Sequence, residues 1–452
     1  MSGSMPVAPA GDGAAGDDEQ AARPTALLPL AQLIQISAFW LGLTAIDSAY
    51  GLFVQLRLTY SDMRGDVGLG AASAIVAIGG GLVSIAVMPT VGSISDYTTS
   101  RWGRRKPYIA VGSLLSTVFL LGVASSNTLL GITAFVILLS FATSIARGPF
   151  QGYVPDLVAE SQVGLASGMV GLMQVAGNIT GFGLASGAAA IGNLPLALFA
   201  VAVVQLVTML TVVLRVGAGL PPRPRGNRSW LAIARATWGT DILQQRSYVW
   251  LLAARLCFLM GGGILFAFAA AYLKYEFGFT EDQAGGLFVI MLGALGTGSV
   301  LAVVPASRLS DFVGRKPVIY AACLSGGIGS VVVALSPSEG LAIAGAALFG
   351  TAAGTFLSVD WALMTDIIPR AAAGRYMGLS NVATASAPLL AAAVGGLVLD
   401  TATAAAGSAA GPRAAFLAAV GLYALAALLM MPVVEPKRGR AARVAAARQK
   451  GE

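Results

Sequence analysis

The first long apolar run of the chain, residues 33–56, carries residues whose spacing places them on one helical face. Successive members lie three or four residues apart, as they do along one side of an α-helix. They are Ser37, Trp40, Thr44, Asp47 and Gly51. The carboxylate could take up a proton or hydrogen-bond a ligand hydroxyl, and the indole could stack on an apolar ligand face. The structural alternative is a buried carboxylate that a neighbouring helix satisfies.

Three further charged residues interrupt apolar runs: Arg147, Arg255 and Asp360. A charge inside a bilayer costs roughly 2.5–3.5 kcal/mol on insertion scales, so these residues are functional candidates. Other polar or aromatic residues of the runs are candidates for ligand contacts, with hydrogen bonding between helices as the alternative. They are Tyr50, Ser140, Gln151, Gln174, Asn178, Trp361 and Asn381.

A charged stretch between two apolar runs, and its later copy, form a second set of candidates. Residues 92–108 read GSISDYTTSRWGRRKPY, and residues 307–317 read SRLSDFVGRKP. An acid in such a stretch can pair with nearby Arg or lie against a helix N-terminus, so we interpret the set as a conformational lock. The lock candidates are Asp96, Arg101, Gly103, Arg104, Arg105, Asp156, Asp311, Gly314, Arg315 and Asp366. Topology signalling alone would explain the bases but not the acids.

Composition identifies the elements that must position these residues. The chain has 452 residues, of which 56% are hydrophobic and 11% are charged, and its mean hydropathy is +0.78. Because a soluble domain carries about 25% charged residues, we predict an all-α membrane protein. Twelve runs are long enough to span a bilayer: 33–56, 69–91, 108–125, 128–150, 163–190, 194–215, 248–275, 282–304, 318–336, 341–364, 376–399 and 414–434.

Several cofactor classes are disfavoured by composition. The chain has no His, which excludes His-based zinc sites and His proton relays. Cys257 and Cys323 lie inside apolar runs, where a cysteine more often packs against its neighbours than forms a disulfide or a metal site. We therefore expect no metal and no cofactor.

Basic residues predict the orientation of the spans. Twenty-two Lys and Arg residues fall in the segments on one side and four in those on the other, which predicts cytoplasmic termini for a multi-pass protein of the inner cell membrane. We predict a disordered tail over 1–28, helical bundles over 29–215 and 248–434, a basic linker over 216–247 and a basic tail over 435–452. The linker is expected to attract the inner leaflet rather than nucleic acid.

The two halves of the chain repeat. Lys106 and Lys316 lie 210 residues apart, and so do Asp156 and Asp366, which end the fourth and tenth runs. Two landmarks with one offset indicate a duplicated six-helix unit. Such parallel repeats are typical of the major facilitator superfamily, which this chain resembles. The resemblance implies two pseudo-symmetric six-helix bundles with a substrate site between them.

A finer resemblance rests on the spacing in the first half. Six residues separate Asp96 from Gly103, against two between Asp311 and Gly314. This spacing, with Gly148-Pro149 before Pro155-Asp156 and with GNITG over 177–181, is similar to the glycoside–pentoside–hexuronide:cation symporters and the sucrose/proton symporters. The resemblance implies a sugar or glycoside substrate.

The sequence also departs from these symporters at positions where they carry acids. Sucrose/proton symporters carry an acid at the position of Ser140, and melibiose-type symporters carry one at the position of Arg147. The second run, 69–91, holds no acid for the sodium site of the melibiose type. We therefore expect protons rather than sodium as the coupling ion, with the acid elsewhere.

The charged residues suggest how coupling would work. Arg147, Arg255 and Asp360 are predicted to share the inner half of the membrane, so we expect Asp360 to pair with Arg147 or Arg255 across the two halves. Protonating Asp360 would break the pair and change which side opens. A static buried ion pair is the alternative.

These predictions favour a secondary active transporter for a sugar or glycoside, acting as a monomer in the lipid bilayer. Drug/proton efflux by the same fold and a non-transporting membrane receptor remain alternatives. An enzyme is not expected, because the sequence has no nucleotide-binding loop, no HExxH-type motif and no convincing nucleophile–base pair.

Overall fold

A computed structural model of the chain describes residues 26–159, 162–219, 221, 229, 245–367 and 373–434. All twelve predicted runs form helices, so the predicted all-α fold is confirmed. In chain order they are α1 Leu30–Tyr60, α2 Leu69–Ser95, α3 Lys106–Ser125, α4 Leu129–Gln151, α5 Val163–Ala190, α6 Leu194–Arg215, α7 Arg246–Phe277, α8 Glu281–Val313, α9 Arg315–Ala334, α10 Glu339–Ile367, α11 Ala373–Ala406 and α12 Ala410–Met430. The predicted tail 435–452 and most of the predicted segments 1–28 and 216–247 lie outside the described residues.

Local chemistry sets where several helices begin and end. Pro107 and Pro195 stand in the first turns of α3 and α6, where the fixed φ of proline suits a helix start. Gly278, at a φ of 70°, ends α7 in a left-handed conformation that favours glycine. Thr280 and Gln283 then form a reciprocal capping box that starts α8. Such short connections force neighbouring helices to run antiparallel.

Helix packing divides the molecule into two similar halves, α1–α6 and α7–α12. Inside the halves, α1 packs on α5 and α6, and α2 on α4; α8 packs on α10, and α7 on α11 and α12. The halves meet chiefly through α2 against α11 and α5 against α8. Because α2 corresponds to α8 and α5 to α11 in the repeat, the interface has approximate twofold symmetry.

Within the described residues, eleven of these helices are long and apolar enough to cross a membrane. The helix outside that set is α5, which has 28 residues. Its packing on α1, α6 and α8 places it within the same bundle as the other helices.

The bundle has two chemically different ends. The end that carries loop 96–105 and Gly314 is called the basic end, and the opposite end, with loops 61–68 and 278–280, is called the far end. At the far end Lys274 donates a hydrogen bond to the carbonyl of Thr59 (2.6 Å). Tyr60 donates to the carbonyl of Phe279 (3.0 Å). These bonds join the two halves at the far end.

Close backbone approach limits side-chain size where α8 meets α10. Gly350 of α10 faces the backbone of Leu295 in α8, and a Cβ atom at Gly350 would collide with that backbone. Gly293, also in α8, has open space around its Cβ position. Substitution of Gly350 therefore tests the close packing of α8 on α10, whereas substitution of Gly293 tests only the intrinsic effect of glycine on helix stability.

We expect Gly350→Ala to lower the thermal unfolding temperature in detergent, because overpacking against backbone costs about 1–3 kcal/mol. Gly293→Ala should leave that temperature unchanged or raise it, since alanine favours a helix by about 1 kcal/mol over glycine. Equal unfolding temperatures for the two variants would contradict this account of the α8–α10 contact.

Candidate functional site

An ion pair joins α1 to α4 inside the first half. Nη2 of Arg147 donates to Oδ2 of Asp47. The side chains keep 25% and 39% of their surface exposed, respectively, so the pair borders open space rather than core. Tyr50 lies on the same helix, three residues after Asp47. A proton on Asp47 would remove the charge that balances Arg147, which gives the pair two chemically distinct states.

Hydrogen bonds hold the polar face of α1 against α5. Ser48 donates to Oδ1 of Asn178 (2.8 Å), and Thr44 donates to the backbone carbonyl of Gln174 (3.2 Å). Thr44 also bonds to the carbonyl of Trp40 in its own helix (2.8 Å). Oδ1 of Asn178 and the hydroxyl of Thr44 therefore link α1 to α5.

Ser48 is a linking residue that the spacing pattern of α1 did not indicate. The pattern consists of residues three and four apart, and Ser48 directly follows Asp47. The available signal was a small polar residue in an otherwise apolar run. Ser48 is 6% exposed, so its hydroxyl needs a partner within the protein.

The remaining first-half candidates lie in two surroundings. The Trp40 ring packs against Phe150 of α4, with ring centroids 5.7 Å apart. Ser140 is buried where α4 meets Gly80 of α2. Gln151 is half-buried, and its Nε2 lies 3.8 Å from the sulfur of a methionine in α2. Trp40 therefore shares α1 with Asp47, whereas Ser140 and Gln151 face α2.

A second ion pair lies inside the second half, between Arg255 of α7 and Asp360 of α10. Its side chains are 4% and 0% exposed, respectively. Arg255 also donates to the hydroxyl of Thr384 in α11 (3.1 Å from Nη2). The side chains of Trp361 and Asn381, two further candidates for ligand contact, lie outside the described part of the structure.

This arrangement corrects the predicted pairing across the two halves. Asp360 does pair with Arg255, but both residues belong to the second half, and Arg147 pairs with Asp47. The prediction was right that Arg255 is a partner of Asp360 and wrong that the pair joins the two halves. It ordered residues by depth in the membrane, whereas lateral packing decides which helices are neighbours. Because α7, α10 and α11 belong to one bundle, Asp360 meets Arg255 and not Arg147, the partner expected from the first half.

The two ion pairs occupy equivalent helices of the repeat with the charges exchanged. The acid lies on the first helix and the base on the fourth in one half, and the reverse holds in the other. Asp47 and Arg255, on the first helix of each half, lie 208 residues apart, and Arg147 and Asp360, on the fourth, lie 213 apart. Both separations are close to the repeat offset of 210. The pairs differ in exposure, which leaves the Asp47 pair as the one that solvent can reach.

Four of the first-half lock candidates form a largely buried ion network at the basic end: Asp96, Arg104, Arg105 and Asp156. Both Arg104 (Nη2, 2.6 Å) and Arg105 (Nε, 2.7 Å) bind the carboxylate of Asp156, which lies in the short helix Tyr153–Leu157. Arg105 also binds Asp96 (3.0 Å). The network ties the α2–α3 loop to the segment after α4, so it stiffens the basic end of the first half.

Burial shapes the surroundings of this network. Tyr153 is 1% exposed, and burial raises the pKa of its phenol above the ordinary value. Arg105 donates further to the carbonyl of Pro149 (2.7 Å), which satisfies another of its N–H groups.

The loops of the two halves share a backbone feature. Gly103 and Gly314 have φ values of 96° and 97°, a region that favours glycine. Arg101 lies over the ring of the exposed Trp102, with its guanidinium carbon 5.7 Å from the ring centroid. It thus faces the surface, unlike Arg104, which is buried.

The lysine that follows each loop also has the same kind of partner. Lys106 donates to the carbonyl of Val213 near the end of α6 (2.8 Å). Lys316 donates to the carbonyl of Met431 after α12 (2.9 Å). In both halves this bond joins the start of the third helix to the end of the sixth.

The second copy of the lock is only partly described. Arg315 is the first residue of α9, directly after Gly314. The side chains of Asp311 and Asp366 lie outside the described part of the structure. Across the residues that are described, no cluster of three or more Cys, Asp or Glu side chains could hold a metal ion.

Sequence comparisons match this chain to transporters. The family model for the Major Facilitator Superfamily matches residues 25–299 and 251–450. A sucrose transport protein of Arabidopsis thaliana is 31% identical over 180 residues, covering 31% of this chain and 30% of the relative. A lactose permease of Lactobacillus helveticus is 26% identical over 165 residues, covering 31% and 26%. The matched segments therefore span less than a third of each relative.

A structural comparison covers far more of the chain. A crystal structure of a mutant of the nucleoside transporter NupG superposes with a TM-score of 0.67, covering 89% of this chain and 99% of that one. The sequence identity is 15%. At that identity the likeness supports the twelve-helix fold alone.

We expect Asp156→Asn to destabilise the protein, because it removes the acid that two buried arginines share. Breaking a buried ion pair costs about 3–5 kcal/mol, so the thermal unfolding temperature in detergent should fall by several degrees. Asp66→Asn, which neutralises an exposed acid of a far-end loop, is the matched control. An Asp156→Asn protein as stable as this control would contradict a structural role for the network.

Proposed function

Because this chain belongs to the major facilitator superfamily, we propose that it is a secondary active transporter that moves a sugar or glycoside across the membrane by alternating access. The observation that carries the proposal is the Asp47–Arg147 ion pair, which lies within membrane-crossing helices and is still partly exposed. Charged residues inside membrane-crossing helices are energetically costly and are functional candidates by default, which favours a role for this pair in transport. An enzymatic role is not part of the proposal.

The substrate class follows from the relatives and from the polar groups near the pair. The matching relatives include a sucrose transport protein and a lactose permease. Around Asp47, the exposed Asn178 and the half-buried Gln174 offer amide groups, and Trp40 offers an aromatic face. Amides and carboxylates suit hydroxyl groups, and an aromatic ring suits the apolar face of a sugar.

Asp47 is the proposed proton-binding residue. Its carboxylate is the more exposed member of a pair whose other member, Arg147, occupies the position of an acid in melibiose-type symporters. Protonation would neutralise the carboxylate and release the guanidinium to a new partner. We propose protons rather than sodium as the coupling ion.

The remaining proposals concern the setting of the protein. The excess of basic residues at one end supports cytoplasmic termini and an inner cell membrane location. The ion network of Arg104, Arg105, Asp96 and Asp156 would act as the lock that favours one arrangement of the basic end. We propose that a monomer carries out the complete cycle.

The direct test is uptake of labelled mono- and disaccharides, beginning with sucrose and lactose, into liposomes that contain the purified protein. A pH gradient of about one unit corresponds to 1.36 kcal/mol, so coupling to one proton should drive about tenfold accumulation. A protonophore should abolish that accumulation. Failure of every sugar under every gradient would contradict the proposal, and proton-driven transport of lipophilic cations instead would favour drug efflux.

The variant Asp47→Asn tests the coupling residue. We expect proton-driven accumulation to fall to about equal concentrations on both sides, because a neutral amide imitates the protonated acid permanently. Exchange of labelled for unlabelled sugar should continue, since it needs no net proton movement.

Asp66→Asn serves as the control for Asp47→Asn, because it removes a carboxylate from an exposed loop and should leave both activities unchanged. Full accumulation by Asp47→Asn would show that the proton binds elsewhere. Loss of both accumulation and exchange would point to a role in substrate binding instead.

A further inference from the structure

The N-terminus of α2 lacks a cap from its own segment. Gly68 stands at the N-cap position and makes no side-chain hydrogen bond, and the first turn of α2 holds no acid. The first N–H groups of a helix have no partner within the helix, so another group must satisfy them. In α2 that group comes from the other half of the protein.

Asp400 of α11 supplies the missing cap. One carboxylate oxygen accepts the backbone N–H of Gly70 and the other accepts that of Ala71, both at 2.8 Å. A carboxylate at a helix N-terminus is also favoured by the helix dipole. The bonds join residues 330 and 329 apart in sequence, across the interface of the two halves.

The surrounding backbone is built for this contact. A Cβ atom at Gly68 would lie 2.5 Å from the Asp400 carboxylate, and one at Gly70 would collide with the backbone of Gly396 in α11. Because Gly68 and Gly70 have no side chains, α11 can approach closely enough for Asp400 to reach the N–H groups.

The equivalent helix of the second half is capped differently. At the start of α8, Thr280 and Gln283 form a capping box, and the first turn carries Glu281 and Asp282. Asp282 accepts a hydrogen bond from the hydroxyl of Thr280. Because α8 carries its own caps, separation of the halves would expose orphan N–H groups in α2 but not in α8.

We propose that Asp400 is a latch of the far end: it caps α2 only while the two halves are closed there, and so sets how readily that end opens. Opening releases the Gly70 and Ala71 N–H groups together, which opposes it. The latch is a helix cap supplied by the other half of the protein. It lies at the opposite end of the bundle from the ion network of the α2–α3 loop.

The test measures how readily the far end opens, by chemical labelling. Ser186 of α5 is 1% exposed, and its backbone lies against the Cβ position of Gly285 in α8. In a chain whose Cys257 and Cys323 are replaced by Ala, Ser186→Cys gives a thiol that reacts with a charged maleimide only when α5 and α8 separate. No substrate is needed, so the outcome is independent of the proposed function.

We expect Asp400→Asn to raise the labelling rate of that thiol roughly tenfold, because hydrogen bonds to a charged group are the strongest in this contact. Glu339→Gln is the matched control: it removes an acid from the first turn of α10 at the same end, in a helix that packs mainly on other helices of the second half. Its labelling rate should stay within about twofold of the parent. An unchanged rate in Asp400→Asn, or an equal rise in both variants, would overturn the latch.

A double variant separates a latch from a simple helix cap. Gly68→Ser added to Asp400→Ala gives α2 a local N-cap, since the extended backbone at Gly68 (φ −57°, ψ 149°) suits serine and Asp400→Ala removes the carboxylate that a Cβ atom at Gly68 would meet. Asp400→Ala alone is the reference for this double variant. We expect the thermal unfolding temperature to recover while labelling stays fast, because the local cap does not reconnect the halves. Return of the labelling rate to the parent value would show that Asp400 only stabilises α2 and would overturn the proposal.

Discussion

A charged side chain inside a bilayer has no water to solvate it, so the protein itself must supply an opposite charge or a polar partner. Every ion pair described in the helices follows from that constraint. Arg255 and Asp360 meet it in a nearly closed space together with Thr384. Asp47 and Arg147 meet it while remaining partly exposed, which makes theirs the pair that a proton or ligand can reach.

Duplication gave the two halves the same architecture but not the same chemistry. The first and fourth helices of each half are joined by an ion pair, and yet the acid and the base have changed places. The second helix of each half begins at the far end, and yet α8 carries its own caps whereas α2 depends on Asp400. These differences make the halves unequal in how they respond to charge and to separation.

The two ends of the molecule use different kinds of contact. At the basic end, Arg104, Arg105 and their acids stiffen one half internally. At the far end, Asp400, Lys274 and Tyr60 join one half to the other. The first kind maintains a rigid body, whereas the second must break whenever the far end opens.

The amino-acid sequence alone determined the fold class, the twelve helices, the repeat and the family. Hydropathy over about 20 residues and motifs such as 92–108 are local signals, and a membrane span is a local event that needs no knowledge of its neighbours. The same locality identified Asp47, Arg147, Arg255 and Asp360 as costly charges that need partners.

The tertiary structure alone decided which charges become partners. Spacing along one helix shows which residues share a face, but it does not show which of eleven other helices that face meets. Asp360 was therefore assigned a possible partner in the wrong half, and Ser48 was missed because its value depends on Asn178 of α5. Asp400 gave no sequence signal at all, because the group that it caps lies 330 residues away and becomes its neighbour only when the two halves close.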